Sequence, residues 1–323
     1  MIIAVFSVLF ISLLTSIPIA VSLGMASIVG LYSLSPELLV LAPQKFLTGI
    51  NSFTLLAIPM FILAGTIMGS GGIAARIVNF CLIFVGRVKG GLGFVVILAT
   101  MFFSGVCGSA SADTAAIGST TMPEMLKRKY PKPFATALLA ASGATASIIP
   151  PSIDLIIIGI VSGISIGGLF AAGILPGIFN AVALMCLCFY FSKKLDLPVT
   201  EKTSLGEKFK IFREGILAIF MPIIILGGIL GGVFTPTEAS AVAVVYGFIV
   251  SMFVYRELGW NELPGIFLQA AKLTGVVMLV LSMASCFSFV LAFDRIPHLI
   301  AQFIVTFADN WIVFVICVNI LFF

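Results

Sequence analysis

The sequence predicts an all-α polytopic membrane protein, and three observations lead to this prediction. Of the 323 residues, 61% are hydrophobic and only 9% are charged, whereas soluble domains carry about a quarter charged residues. The apolar residues form long continuous runs, as spanning helices require, and not the short alternating segments of a membrane barrel. Proline and glycine interrupt two of these runs. The net charge of +4 does not indicate nucleic-acid binding, because Lys and Arg in membrane proteins mostly mark the cytoplasmic face.

Residues 1–70 are predicted to form the first membrane segments of a scaffold. The opening stretch "MIIAVFSVLFISLLTSIPIA" lacks a basic start and a small-residue cleavage site, so we interpret it as a membrane segment and not as a signal peptide. Residues 71–90 place apolar side chains at helical spacing with Arg and Lys between them. This pattern predicts an amphipathic arm helix that lies along the membrane surface.

Residues 92–126 are predicted to form a re-entrant helical hairpin. Basic residues flank this segment on both sides: Arg76, Arg87 and Lys89 before it, and Lys127, Arg128, Lys129 and Lys132 after it. Both flanks should therefore be cytoplasmic, so the segment must enter and leave the membrane on the same side. Each arm is about 22 Å long, too short for a hydrocarbon core of about 30 Å. The tip would be the small-residue stretch "CGSASAD".

Residues 134–164 are predicted to form a broken helix. The motif "IIPPS" at 148–152 interrupts an apolar run, and each proline removes a backbone donor and clashes with the preceding turn. Irregular backbone at membrane depth persists only where it is buried in protein or lines a cavity. A return helix over 166–191 then leads to a charged segment, 193–214, which is predicted to be a cytoplasmic loop.

The two halves of the chain show a weak internal repeat. "TSIPIAVSLGMASIVGLY" at 15–32 resembles "FTPTEASAVAVVYGFIV" at 234–250, and each is followed by a membrane segment and an amphipathic stretch. Counting the crossings places the two amphipathic stretches on opposite faces, which predicts inverted repeats at 1–192 and 215–323. We expect the second repeat to be truncated before its own hairpin.

Four motifs along the chain resemble one transporter family. They are "LLAIPMFILAGTIMGSGGIAARIV", "GSASADTAAIGSTTMPEM", "GATASIIPPS" and "GGVFTPTEASAVAVVYG". Together they are similar to the large membrane subunit (M subunit) of tripartite ATP-independent periplasmic (TRAP) transporters.

The resemblance implies an inverted-repeat elevator-type transporter in the bacterial cytoplasmic (inner) membrane, with a transport domain that slides against a scaffold. It implies Na⁺-coupled uptake of an organic acid, such as a C4-dicarboxylate or a sialic acid. The implied partners are a periplasmic substrate-binding protein, a small four-helix membrane subunit and the membrane lipids. The only implied metal is the co-transported Na⁺, with no organic cofactor and no catalytic residue.

The resemblance places one Na⁺ between the hairpin and the broken helix. Na⁺ is a hard cation that prefers oxygen ligands, by analogy with the rules for calcium. The candidate sodium-binding residues are Gly108, Ser109, Ser111, Gly143, Ser147, Ile149 and Pro150. The candidate substrate-binding residues are Ser109, Asp113, Ser142, Thr145, Pro151 and Ser152. Asp113 stands out because a carboxylate at membrane depth is costly and normally has a function or a partner; a helix-start carboxylate is the alternative interpretation.

Four further residues are candidates for a structural or gating role. Thr235 or Thr237 can cap the helix that follows, with Glu238 in its first turn; a polar contact between scaffold and transport domain is the alternative. Asp154 stands where the resemblance leads us to expect an apolar residue or proline, and both a role in substrate choice and no role remain open.

Two other functions compete with the permease. An inactive fragment of such a permease follows from the expected truncation of the second repeat. An intramembrane aspartyl protease would use Asp113 and Asp154 as a carboxylate pair, although the GxGD signature of such proteases is absent.

Overall fold

The computed structural model describes residues 1–199, 205–307 and 310–322, and within these ranges the chain forms helices and no strands. The α-helices are α1 (Ile2–Leu14), α2 (Ile19–Leu34), α3 (Leu41–Thr48), α4 (Ala57–Ser70), α5 (Ile73–Val85), α6 (Gly91–Cys107), α7 (Ala110–Lys127), α8 (Lys132–Thr145), α9 (Ile153–Ser162), α10 (Ile166–Lys194), α11 (Leu205–Leu230), α12 (Pro236–Ile249), α13 (Leu263–Phe293), α14 (Ile296–Phe307) and α15 (Trp311–Phe322). The predicted all-α class is confirmed.

Several helices have the length and composition of membrane spans. Among the described residues, five meet both criteria: Phe53–Ser70, Ile166–Lys194, Gly206–Leu230, Pro236–Val254 and Leu263–Phe293. The first of these starts with a 3₁₀ turn, Phe53–Leu56, and the fourth ends in a π-helical turn, Val250–Val254. The other apolar helices among the described residues are shorter than 18 residues; they include α6 of the predicted hairpin and α9 of the predicted broken helix, but also α1 and α2, which were predicted as membrane segments.

Two elements differ from the sequence predictions. A 3₁₀ turn, Pro36–Val40, and helix α3 fill a stretch for which no helix was predicted. Helix α11 begins at Leu205, inside the segment 193–214 that was predicted as a loop. Its first turns combine charged residues with Phe209, Ile211 and Phe212, and Lys, Arg and Glu are good helix formers. A high density of charge therefore marks a solvated helix end here, and not an irregular loop.

The contacts divide the chain into two units, Met1–Ser52 with Gly275–Phe323 and Phe53–Thr274. The first unit has an apolar core of Val5, Ala26, Leu31, Ala42, Cys286 and Val290. Helix α2 approaches α13 closely at Gly30, where a Cβ would lie 2.5 Å from Val290 Cγ1. The Ser282 hydroxyl donates to the Phe46 carbonyl at 2.7 Å, which ties α3 to α13.

In the second unit, α6 and α7 form an antiparallel hairpin, joined only by Gly108 and Ser109 and packed against each other. The predicted hairpin over 92–126 therefore exists as a structural element. Its re-entrance into a membrane stays a prediction, as does the inverted relationship of the two repeats.

Basic segments that were predicted to share one membrane face meet at one end of this unit. Lys89 forms an ion pair with Asp196, and the Gly90 amide donates to the Pro198 carbonyl at 3.4 Å. The Lys89 ammonium lowers the pKa of the Asp196 carboxyl below its ordinary value through this hydrogen bond. The turn before the hairpin and the start of the charged segment therefore lie side by side, as the same-side prediction requires.

Helix α5, the predicted arm helix, is half-buried and packs against α6 and α11. The Arg76 guanidinium pairs with Glu257 at 2.7 Å and lies over the ring of Tyr255 at 3.8 Å. Further along the helix, Phe80 contacts Phe212 of α11 with ring centroids 5.6 Å apart. The predicted amphipathic segment is thus helical, and its Arg76 contacts other parts of the protein. Its position along the membrane surface stays a prediction.

Candidate functional site

The hairpin tip is a two-residue turn that only a glycine accommodates easily. Gly108 ends α6 with φ +59°, in the left-handed region, and Ser109 follows in an extended conformation before α7 begins. L-residues other than glycine disfavour this region because Cβ approaches the following carbonyl. The Ser109 and Ser111 hydroxyls lie 3.4 Å apart, so the tip presents two oxygen atoms next to each other.

The break between α8 and α9 extends over 146–152 and contains the proline pair. The bond between Pro150 and Pro151 is cis. The break predicted at 148–152 is confirmed and starts two residues earlier. The candidate site residues Gly143 and Thr145 belong to the last turn of α8, before the break. The helix continues to Thr145 because the prolines remove amide donors only at positions 150 and 151, and those donors would serve carbonyls four residues earlier.

Two polar contacts join the hairpin to the break. The Ile153 amide, at the start of α9, donates to the Gly108 carbonyl at 3.3 Å. The Ser104 hydroxyl of α6 donates to the Ala146 carbonyl at 2.9 Å. A Cβ on Gly108 would lie 2.4 Å from the Pro151 carbonyl oxygen. The tip and the break are therefore in direct contact, and together we define them as the tip–break site.

The second hairpin arm also approaches the end of α8. A Cβ on Gly143 would lie 1.8 Å from the Thr114 hydroxyl oxygen, and that hydroxyl donates to the Ala110 carbonyl at 2.6 Å. The Ser142 hydroxyl donates to Leu138 of its own helix at 2.8 Å, and Thr145 donates to the Ser142 carbonyl. The two predicted substrate contacts on α8 therefore use their protons within the helix, and only their lone pairs remain available.

The two aspartates near the site differ in burial. Asp113 is fully buried in the first turn of α7, and its amide donates to the Ser109 carbonyl at 2.9 Å. Asp154 is exposed in the first turn of α9. A carboxylate pair that shares a proton needs two carboxyls in one environment, so this arrangement does not favour the aspartyl-protease alternative.

The candidates for a structural or gating role lie at the starts of two helices: Thr235, Thr237 and Glu238 at the start of α12, and Asp154 at the start of α9. Among the described residues, none of the four side chains forms a hydrogen bond or ion pair with the tip–break site. Thr235 is the N-cap of α12: its hydroxyl accepts from the Glu238 amide at 3.3 Å, and the Glu238 carboxylate accepts from the Thr235 amide at 2.8 Å. This is a capping box. Thr237 lies within the first turn, and its carbonyl accepts from the Ser240 hydroxyl at 2.6 Å. A contact between scaffold and transport domain stays a prediction.

Helix α10 packs closely against the break at two glycines, Gly173 and Gly177, which were not predicted as site residues. A Cβ on Gly173 would lie 2.6 Å from the Ile148 carbonyl oxygen, and a Cβ on Gly177 would lie 2.7 Å from Ile149 Cγ1. Pro150 and Ile149 also line a cavity of about 350 Å³ whose other walls are residues of α6, α10 and α11. The break is thus held between α6 and α10.

Replacing Gly173 by alanine is expected to displace the break, because its neighbour is a backbone carbonyl that cannot move alone. We expect a loss of about 1–3 kcal/mol in stability, the usual range for overpacking, seen as a lower Tm of the purified protein. The matched control is Gly167→Ala on the same helix, where the nearest atom to a new Cβ is 3.7 Å away. Equal Tm values for the two variants would contradict a tight contact at Gly173.

Comparison with known proteins gives the family of the chain. The family model of the tripartite ATP-independent periplasmic transporter, DctM component, matches residues 6–323. The chain belongs to this family. The resemblance stated from the four motifs is therefore confirmed.

Curated relatives from three bacteria support the assignment. The C4-dicarboxylate TRAP transporter large permease protein DctM of Rhodobacter capsulatus is 35% identical, over 98% of this chain and 75% of its own length. The sialic acid permease SiaM of Vibrio cholerae is 40% identical, over 87% of this chain and 66% of its own length. The 2,3-diketo-L-gulonate permease YiaN of Escherichia coli is 41% identical, over 83% of this chain and 63% of its own length. The chain thus spans about two thirds to three quarters of these relatives' lengths.

The family assignment settles the class of protein. These DctM relatives are transporter permeases and not enzymes, so the chain is a multi-pass membrane protein of a transporter family. The protease alternative is not favoured by the comparisons either.

Proposed function

We propose that this DctM-family chain is the permease part of a Na⁺-coupled secondary transporter that imports an organic acid. The observation that supports it best is the contact of the hairpin tip with the break, at Gly108 with Ile153 and at Ser104 with Ala146. Half-helix ends and irregular backbone that converge in the interior of a transporter provide the oxygens and amides that ions and substrates need.

The sodium ion would bind between the tip and the break. The tip provides the Gly108 carbonyl and the hydroxyls of Ser109 and Ser111, and the break provides carbonyls of residues 147, 149 and 150. These are the oxygen ligands that a hard cation prefers. Because ligands from both elements would hold one ion, Na⁺ binding would fix the hairpin against the break and complete the substrate site.

The substrate carboxylate would bind at the amino-terminal ends of α7 and α9. Free amides and the helix dipole favour an anion there, and Ser109 and Ser152 lie at these ends. The names of the relatives, which include C4-dicarboxylate, sialic acid and 2,3-diketo-L-gulonate permeases, support a carboxylated substrate.

Asp113 would serve the cation and not the substrate, although the sequence made it a candidate for the substrate site. Asp113 is fully buried. Its carboxylate would repel a substrate carboxylate about 5 Å away by about 3 kcal/mol at an effective dielectric constant near 20. At the same distance, the Asp113 carboxylate would attract Na⁺ by a similar amount. We therefore assign its negative charge to the sodium site.

Transport would proceed by an elevator movement in the bacterial inner membrane. The hairpin, the broken helix and α10 pack closely together in this chain, which suits movement as one body. A periplasmic binding protein would deliver the substrate, and a small four-helix subunit would complete the complex. Each net positive charge carried inward gains about 2.3 kcal/mol per 100 mV, so the membrane potential would drive uptake.

The test is uptake by the complete permease in proteoliposomes, together with its small subunit and its binding protein. Succinate, sialic acid and 2,3-diketo-L-gulonate are offered separately, with external Na⁺, K⁺ or choline at equal ionic strength. We expect one substrate to accumulate, dependent on Na⁺ and on the binding protein and faster with a negative interior. Equal uptake in choline would refute sodium coupling, and no uptake of any of the three acids would count against the proposed substrate class.

A further inference from the structure

The proline pair leaves two carbonyls of the break without their helical donors. In an α-helix, the amide of residue i donates to the carbonyl of residue i−4. The carbonyls of Ala146 and Ser147 would therefore receive the amides of residues 150 and 151, which are both prolines and have no N–H. A buried carbonyl that lacks a donor is destabilising, because it has lost its hydrogen bonds to water without replacement.

Two serine hydroxyls take the place of the missing amides. The Ser152 hydroxyl donates to the Ser147 carbonyl at 2.7 Å, from within the broken helix itself. The Ser104 hydroxyl donates to the Ala146 carbonyl at 2.9 Å, from the first arm of the hairpin. Ser104 and Ala146 are both fully buried, so water does not compete for the bond between them, whereas Ser147 is half-buried.

The two serines differ in what they connect. Ser152 repairs the break locally, whereas Ser104 reaches the break from another element, 42 residues away in sequence. The neighbouring hydroxyl on the same helix, that of Thr100, behaves in the ordinary way and donates to Val96 one turn earlier at 2.8 Å. The bond from Ser104 is therefore a link between hairpin and break, and its geometry determines how the two sets of oxygens face each other.

We propose that Ser104 is a positioning residue for sodium: it holds the start of the break against the hairpin and thereby sets the affinity of the tip–break site for Na⁺. This proposal rests on the proposed function. Ser104 acts on the ion through the break, because its hydroxyl donates its proton to the Ala146 carbonyl. The bond from Ser104 preorganises the break carbonyls of residues 147, 149 and 150. Without it, these carbonyls would have to become ordered when Na⁺ binds, and this ordering would lower the affinity for Na⁺.

The test compares Ser104→Ala with the matched control Thr100→Ala, which removes a buried hydroxyl from the same helix without cutting the link. Uptake by the complete permease is measured as a function of Na⁺ concentration. For Ser104→Ala we expect the half-saturating Na⁺ concentration to rise about 10-fold, as the loss of one buried hydrogen bond predicts, with nearly normal maximal uptake. Thr100→Ala should stay within about 2-fold of the wild type. An unchanged sodium dependence in Ser104→Ala would overturn the proposal.

A second measurement separates failure of this proposal from failure of the proposed function. Hydrogen–deuterium exchange of peptides that cover 146–153 is compared without Na⁺, and we expect faster exchange in Ser104→Ala than in Thr100→Ala or the wild type. Should wild-type uptake be independent of Na⁺, the proposed function fails, and a sodium-affinity role for Ser104 fails with it. Equal exchange in all three proteins would refute the link even if uptake depends on Na⁺. Ser104→Cys, a weak donor of similar shape, replaces Ser104→Ala if the latter does not fold, and is expected to give an intermediate effect.

Discussion

Uptake should be lost almost completely when Gly108 is replaced by alanine. Two independent costs fall on this position. The backbone has φ +59°, which costs an L-residue about 1–2 kcal/mol. The new Cβ would also lie 2.4 Å from the Pro151 carbonyl oxygen and 2.9 Å from Ser152 Cα, and both are backbone atoms of the break. The contact between tip and break must therefore open, and the oxygens of the proposed sodium site would separate with it.

The chain contains a matched control for this prediction at Gly163. This glycine ends α9 with φ +67°, and a Cβ there would meet no atom within 4 Å. Gly163→Ala therefore carries the same backbone strain without the collision. We expect it to retain most of the wild-type uptake in proteoliposomes, while Gly108→Ala falls to background at every Na⁺ concentration. Equal losses in the two variants would mean that strain, and not the tip–break contact, decides the outcome.

Replacing Asp113 by asparagine should weaken sodium binding strongly while the protein still folds. Asparagine has nearly the same shape but no charge, and a carboxylate about 5 Å from a buried cation contributes about 3 kcal/mol. We expect the half-saturating Na⁺ concentration to rise about 100-fold, because each 1.4 kcal/mol is a factor of ten. At saturating Na⁺, the KM for the organic acid should change little, since the charge serves the cation.

The control for this prediction is Asp154→Asn, in the first turn of the other half-helix. Its carboxylate is exposed, so solvent screens its charge, and we expect the sodium dependence to remain that of the wild type. If Asp113→Asn changes the substrate KM and leaves the sodium dependence unchanged, then Asp113 belongs to the substrate site, as predicted from the sequence.

Much of the fold was predictable because glycine and proline act locally. The proline pair at 150–151 marks the break, and the stretch around Gly108 marks the tip, each through a steric property of one residue. Basic residues on both flanks of the hairpin predicted that it enters and leaves the membrane on one side, which stays a prediction; the ion pair of Lys89 with Asp196 joins only the first flank to the charged segment. Helix α3 was missed because its short sequence shows no strong apolar periodicity, and the start of α11 was missed because its charges resemble those of a loop.

The partners of single residues were not predictable from the sequence. Ser104 lies within an apolar run, where a serine usually bonds to its own helix, as Ser142 and Thr100 do. Only the packing of α6 against the break directs its hydroxyl to Ala146. The glycines of α10 pose the same problem: Gly167 and Gly173 look alike in the sequence, but only Gly173 faces the Ile148 carbonyl. A sign was nevertheless present, since two consecutive prolines imply two carbonyls that need other donors.

Hydrogen–deuterium exchange of the complete permease in NaCl and in KCl tests most directly whether tip and break form one sodium site. Peptides that cover 104–113 and 146–154 are compared at equal ionic strength, with α5 as an internal reference. Na⁺ should slow exchange in both segments over the same concentration range, K⁺ should not, and α5 should stay unchanged. Protection of only one segment, or equal protection by K⁺, would contradict a sodium site shared by the hairpin and the broken helix.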